Sequence, residues 1–177
     1  MTDTLIIANI FSFFSACFTI ASSWTKNPKR TYAYQVAQCL IYAVASYFFG
    51  VYPAIVMMLV NAFRNFLVAG SRYSVRWMAA CSVMSLAVGL RVSDGSVAGY
   101  LSIIATVYYT IASFYLTEPR AVKINVAVDL SLWLAYDFLV KDVSSGIVDG
   151  VSVVLAIVTF IRITRQKPPE MYEKQNS

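Results

Sequence analysis

Histidine is absent from all 177 residues. That removes the commonest metal ligand, the usual proton shuttle and the base of a Ser–His or Cys–His pair. Charge is scarce as well: Asp, Glu, Lys and Arg make up 13% of the chain, about half the share found in a soluble domain. Cysteine is limited to Cys17, Cys39 and Cys81. They are far apart, odd in number and set in apolar runs, so they indicate neither a disulfide framework nor a metal cluster and read as small packing residues. Proline stays out of helix interiors, Pro53 suiting a first helical turn, so nothing forces a kink. No glycine-rich phosphate loop and no metal-ligand spacing occurs, so no cofactor and no metal is expected.

What is abundant is apolar: 59% of residues are hydrophobic and the mean hydropathy is +0.64. These values imply an integral membrane protein whose first partner is the lipid bilayer, and they set aside nucleic acid. Runs of about 20 residues, long enough to cross a bilayer, fall at Leu5–Trp24, Thr31–Phe49, Val51–Val68, Val75–Leu90, Val97–Leu116, Ala121–Val140 and Ser144–Ile163. The first carries Asp3, has no leading Lys or Arg and is followed by no small-residue cleavage site, so it reads as a retained helix and not a signal peptide. Seven spans are expected.

Loop charge tests that count, because Lys and Arg in short loops stay cytoplasmic. One side receives Lys26, Lys29, Arg30, Arg72, Arg76, Arg120, Lys123, Arg162, Arg165, Lys167 and Lys174, and the other only Arg91 and Lys141. The N-terminus is therefore expected outside and the C-terminus in the cytoplasm. The net charge of +5 then reflects topology and not a basic binding face.

A repeat gives the spans an order. TIASSWTKNPKR at Thr19–Arg30 returns as TIASFYLTEPRA at Thr110–Ala121, which pairs positions 91 residues apart and suggests duplication. Helices one to three and five to seven become two parallel three-helix units, with the fourth keeping them parallel, a known carrier design with the site near the midplane. The expected segments are 1–70 for the first unit, 71–95 for the linker helix, 96–164 for the second unit and 165–177 for a polar cytoplasmic tail.

Ionisable groups in hydrocarbon need a partner, water or a purpose, at about 2.5 kcal/mol or more each at mid-helix. On the sixth helix Asp129, Trp133 and Asp137 stack on one face at i, i+4, i+8. The offset carries them to Gln38, Tyr42 and Ser46 on the second. Asp129 is the candidate for proton coupling, while Asp137 is expected near the outer surface and hydrated. The third helix offers Asn61, Arg64 and Asn65, the seventh Asp149 and Ser152, and the first Asn9. Arg64 and Asp129 lie at similar depth, so a neutralised Arg64–Asp129 pair and an unpaired, proton-accepting Asp129 are both open. Interhelical hydrogen bonding is the plainer role for Gln38 and Ser46.

With those residues laid out, the chain resembles the bacterial inner-membrane YgjV family, in Tyr52–Ala54 (YPA), Asn61–Arg64 (NAFR) and Ile161–Arg162. More distantly, LWLAYDFLVKD at Leu132–Asp142 is similar to the second-helix end and turn of the SWEET and SemiSWEET carriers, whose superfamily includes PnuC-type vitamin carriers. The likeness implies a SWEET-like 3+1+3 fold with a second-helix aromatic and a third-helix polar residue in the central cavity. Trp133 and Asp149 match those positions, and the offset adds Tyr42 with Met58, or Asn61 one turn deeper. The Pro-Gln pair that these carriers place in the first helix of each repeat is absent, so its hinge is not carried over.

The expectation is an all-α, seven-helix protein of the inner membrane that moves a small solute such as a sugar, nucleoside or vitamin. Trp133, Tyr42, Asp149, Asn61, Gln38 and Asp129 would line its site. An enzyme is not expected: a nucleophile has no histidine base, and Asp129 and Asp137 are about 12 Å apart along one helix. The rival is a receptor or scaffold of the same fold, favoured if Arg64 pairs with Asp129 and Phe and Met fill the interior. Homo-oligomerisation is compatible with either.

Overall fold

The computed structural model describes residues 2–49, 52–93, 97–140 and 143–165. Every regular element among them is an α-helix: α1 (Thr2–Trp24), α2 (Pro28–Phe49), α3 (Tyr52–Ala69), α4 (Val75–Val92), α5 (Val97–Tyr115), α6 (Pro119–Val140) and α7 (Val143–Arg165). No end departs from the expected spans by more than three residues. Two of the larger departures share a cause. Pro28 and Pro119, expected in loops, are the first residues of α2 and α6, where a missing N–H leaves no helical bond unmade. Asn27 caps α2, its Oδ1 accepting from the Arg30 N–H at 3.3 Å. The polar tail beyond Arg165, and parts of the turns after α2, α4 and α6, lie outside the described residues.

Three helices are long and apolar enough to cross a membrane, in α1, α4 and α7, and shorter apolar helices run through Ala54–Ala69 and Tyr100–Tyr115. The outer surface suits lipid: Ile6, Phe14, Leu40, Phe66, Val83, Ile104, Ile124 and Val154 are all exposed, on helices that satisfy their backbone internally.

Six helices close a ring. α2 lies between α1 and α3, α6 lies between α5 and α7, and the ring shuts where α1 meets α7 and α3 meets α5. The first of these seams is the more extensive. α4 stands outside the ring and packs on both α3 and α5, bracing the thinner seam. It buries only Cys81, Ser85 and Gly89, a small-residue stripe at i, i+4, i+8 that allows close approach. A Cβ on Gly89 would sit 2.6 Å from Ile103 Cγ1 and 3.5 Å from Met57 Cε. Gly89→Leu is therefore expected to push α4 off both neighbours at an overpacking penalty of about 1–3 kcal/mol, read as a lower melting temperature in detergent. An unchanged melt would show that α4 does not hold the seam.

α3 ends in a Schellman-type turn: Arg72 N–H bonds Leu67 O at 2.9 Å and Ser71 N–H bonds Val68 O at 3.0 Å, with Ser71 at φ 55°. Beyond it, the Tyr73 hydroxyl donates to Thr110 O at 2.9 Å and ties the loop to α5. Burial raises this hydroxyl's pKa above its ordinary value, so it remains a donor throughout the neutral range.

Contacts of Arg162 and Thr159 with Trp24, of Lys123 with Ser22 and Thr31, and of Tyr73 with Thr110 tie together the helix ends that carry Lys26, Lys29, Arg30, Arg72, Arg76, Arg120, Arg162 and Arg165, here the basic end. Lys123 departs from that pattern. Expected among the loop charges, it lies inside α6 and is 1% exposed.

Candidate functional site

The ring encloses a cavity of about 820 Å³, lined among the described residues from α1, α2, α3, α5, α6 and α7 and by nothing from α4. Period and direction explain its walls. On α1, Ser12, Ser15, Thr19 and Ser22 recur at three- and four-residue steps, one helical face, and all four line the space. On α2 the face runs from Gln35 through Gln38 and Tyr42 to Ser46, and on α6 from Asp129 through Trp133 to Asp137. α3 adds Met58, Asn61, Arg64 and Asn65, α5 adds Tyr109, and α7 adds Ser145 and Asp149.

All six residues expected to bind solute, Trp133, Tyr42, Asp149, Asn61, Gln38 and Asp129, face this one cavity, as does Arg64. Tyr42 on α2 and Trp133 on α6 both pack on the cluster formed by Cys39, Ala43, Met58 and Ala62. The two aromatic faces are thus at the same level. Trp133 also meets Tyr136 edge-on at 5.4 Å and lies beside the Asp129 carboxyl, whose Oδ1 has no hydrogen-bond partner. Asp137, expected near the surface and hydrated, is 4% exposed and part of the wall.

Arg64 does not bond Asp129. Its guanidinium donates to Asn65 Oδ1 through Nε (3.1 Å) and Nη2 (2.9 Å), and through Nη1 to Asn61 Oδ1 (3.0 Å) and Thr110 Oγ1 (3.1 Å). It also lies 4.5 Å over the Tyr109 ring, a cation–π contact strengthened by burial. Neutral acceptors on its own helix, one and three residues away, meet the fork geometry of the guanidinium, so the cation is satisfied without a carboxylate.

Tyr109 belongs to a sealed layer towards the basic end. Its hydroxyl donates to Gln35 Oε1 at 2.9 Å, and its ring meets Tyr32 at 6.4 Å within a cluster holding Val122, Val126 and Leu130. Close by, the Lys123 ammonium donates to Ser22 O at the end of α1 and to Thr31 Oγ1 at 3.0 Å near the start of α2. Thr159 Oγ1 donates to Trp24 O at 3.4 Å, and Arg162 lies 4.4 Å over the Trp24 ring. These bonds between α1–α3 and α5–α7 fall within about seven residues of the basic helix ends, ~11 Å of rise. The cavity extends along α1 as far as Ser22 but elsewhere stops at this layer. Opposite, its lining reaches Ala54 and Ser145 in the first turns of α3 and α7.

Sequence reasoning does not single out Gln35, Tyr109, Thr110 or Lys123. Gln35 has a signal, three residues before Gln38 on the same face. Thr110 has another, as the first letter of a repeated peptide. Among the described residues no group of three His, Cys, Asp or Glu is placed to hold a metal ion.

A family model described as a bacterial inner membrane protein matches residues 6–167. No curated protein and no solved structure matches the chain.

Proposed function

The chain belongs to the YgjV family of bacterial inner membrane proteins, and from that premise we propose that it is a carrier or facilitator for a small solute, with the ring cavity as its binding site. The observation that carries the proposal is a cavity large enough for a drug-sized ligand, whose partly apolar wall carries charged, amide and hydroxyl side chains, in a chain whose outer surface is apolar. It is closed by hydrogen bonds at one end and lined almost to the helix termini at the other.

Two parallel three-helix units with α4 between them, segments 1–70, 71–95 and 96–164, organise the proposed mechanism. Three features support that division. α2 and α6 both begin on a proline 91 residues apart. Each is the middle helix of its triple. Exchanging the units turns the α3–α5 seam into the α7–α1 seam, as an axis along the membrane normal requires. With the basic end in the cytoplasm, seven crossings put the N-terminus outside, and the cavity faces outward. Alternating access would then break the layer around Tyr109 and Lys123 and close the opposite end. Trp133 and Tyr42 would stack on a planar solute, with Gln38, Asn61, Asp149 and Asp129 supplying hydrogen bonds and Asp129 coupling a proton. Catalysis is no part of the proposal.

Reconstituted protein is expected to move at least one of a panel of sugars, nucleosides and vitamin-like solutes, with Trp133→Ala and Asp129→Asn each lowering the flux by tenfold or more. A receptor or scaffold also accounts for a cup sealed at one end. Saturable binding without flux would favour it and reject the carrier.

A further inference from the structure

We infer that the ring cavity selects an organic cation, a protonated amine or quaternary nitrogen joined to a planar ring. The inference rests on the cavity being a solute site and narrows the chemistry of that solute.

Charge around the cavity is lopsided. Asp129, Asp137 and Asp149 bring three carboxyls to its wall, on two helices of one unit. Among the described residues Arg64 is the one basic side chain in the lining, and its guanidinium is engaged by Asn61, Asn65 and Thr110 beneath the Tyr109 ring. Lys123 lies outside the lining, its ammonium held by Ser22 and Thr31. An anion entering this space would meet carboxylates and a cation already surrounded by acceptors. A cation would meet the Asp129 carboxyl, whose Oδ1 has no other partner, and beside it the Trp133 ring. Aromatic faces attract cations most strongly when water is excluded, and carboxylates in a low-dielectric cleft raise the local concentration of positive solutes. A neutral sugar would use the hydrogen-bonding groups and leave that field unanswered.

The test works with the solute unidentified. In full-length protein with Cys17, Cys39 and Cys81 replaced by Ser or Ala, Ser12→Cys places one thiol on the cavity wall. Its modification is timed with two methanethiosulfonates of similar size, one carrying trimethylammonium and one sulfonate, each rate divided by that for free cysteine. The cationic reagent is expected to be favoured at least tenfold. That preference should shrink several-fold in 1 M salt, and again with Asp129→Asn or Asp149→Asn. Benzyltrimethylammonium at millimolar concentration should slow the reaction, whereas benzenesulfonate should not. The salt arm leaves every carboxylate in place, so it stands even if a substituted protein misfolds. Equal rates, or faster reaction of the sulfonate, overturn cation selection while leaving a water-accessible cavity. Failure of both reagents to reach the introduced thiol from either side overturns the carrier proposal along with it.

Discussion

Lys123→Met is expected to unseal the basic end of the ring. The ammonium is almost fully buried and bridges the last turn of α1 to the first turn of α2 from the opposing α6. Hydrogen bonds to a charged group contribute about 1.5–3 kcal/mol each, and a cation beside the final carbonyls of a helix also gains from the helix dipole. Methionine keeps the apolar stem and removes the charge, which relieves the desolvation of a buried ammonium and so limits the loss of overall stability. What it cannot replace is the link from α6 to α1 and α2. A shift of about 2 kcal/mol between closed and open arrangements changes the open population roughly 30-fold. The measurement is labelling of Thr19→Cys, which lines the cavity, by a membrane-impermeant thiol reagent applied from the basic side. A rate at least tenfold above that of the Lys123 parent is expected. Unchanged labelling would mean that Lys123 does not hold this end shut.

Arg64→Leu should act on the fold itself. Removing the guanidinium strands the Asn61 and Asn65 carbonyls and takes the cation from the Tyr109 face. Breaking a buried charged network by deleting one member costs about 3–5 kcal/mol. For a chain of this size the expected fall in melting temperature is on the order of 10 °C. Arg64→Lys should recover only part of it, since an ammonium carries three donors at one point and cannot span acceptors on α3 and α5 together. A melt of Arg64→Leu that matched the parent would show that the network contributes packing and nothing more.

The two cations also mark the limit of what is legible in the sequence. Helix positions are readable from basic clusters and apolar runs of bilayer length, except that α2 and α6 start earlier than those runs, on the prolines at 28 and 119. The α2 and α6 faces are readable because a four-residue step places side chains in one column whatever lies opposite. The destination of a long flexible side chain has no such local signature. Lys123 sits beside Arg120 in sequence, and a charge count treats them alike, yet Arg120 is exposed and Lys123 is buried against a carbonyl 101 residues away. Depth matches Arg64 with Asp129, but two asparagines on its own helix are nearer, and depth is blind to rotation about the helix axis. The same blindness places Asp137 at the surface: closeness to a helix end says nothing about which way the residue turns. Tyr109, one of twelve tyrosines, carries no mark to separate it from those that face lipid.

The repeated TIAS peptide gains a contact role in the structure. Its first copy supplies the Ser22 carbonyl that Lys123 bonds, and its second supplies the Thr110 hydroxyl that Arg64 bonds. Each copy receives a cation from a helix across the ring, through a backbone carbonyl on α1 and a threonine hydroxyl on α5, and small residues there let the helices approach.

The closure of the ring between α1 and α7 bears on how the chain is made. Synthesis delivers α1 first and α7 last, and the bond from Thr159 to Trp24 joins residues 135 apart. Until the last helix enters the bilayer, the polar stripe on α1 and the carboxyl of Asp129 lack the enclosure that α7 completes. The nascent chain must keep those groups near water or another helix while it waits, since lipid offers them no partner. The cavity is therefore complete only once α7 joins the other helices, and a chain halted before α7 leaves polar side chains where the membrane tolerates them least.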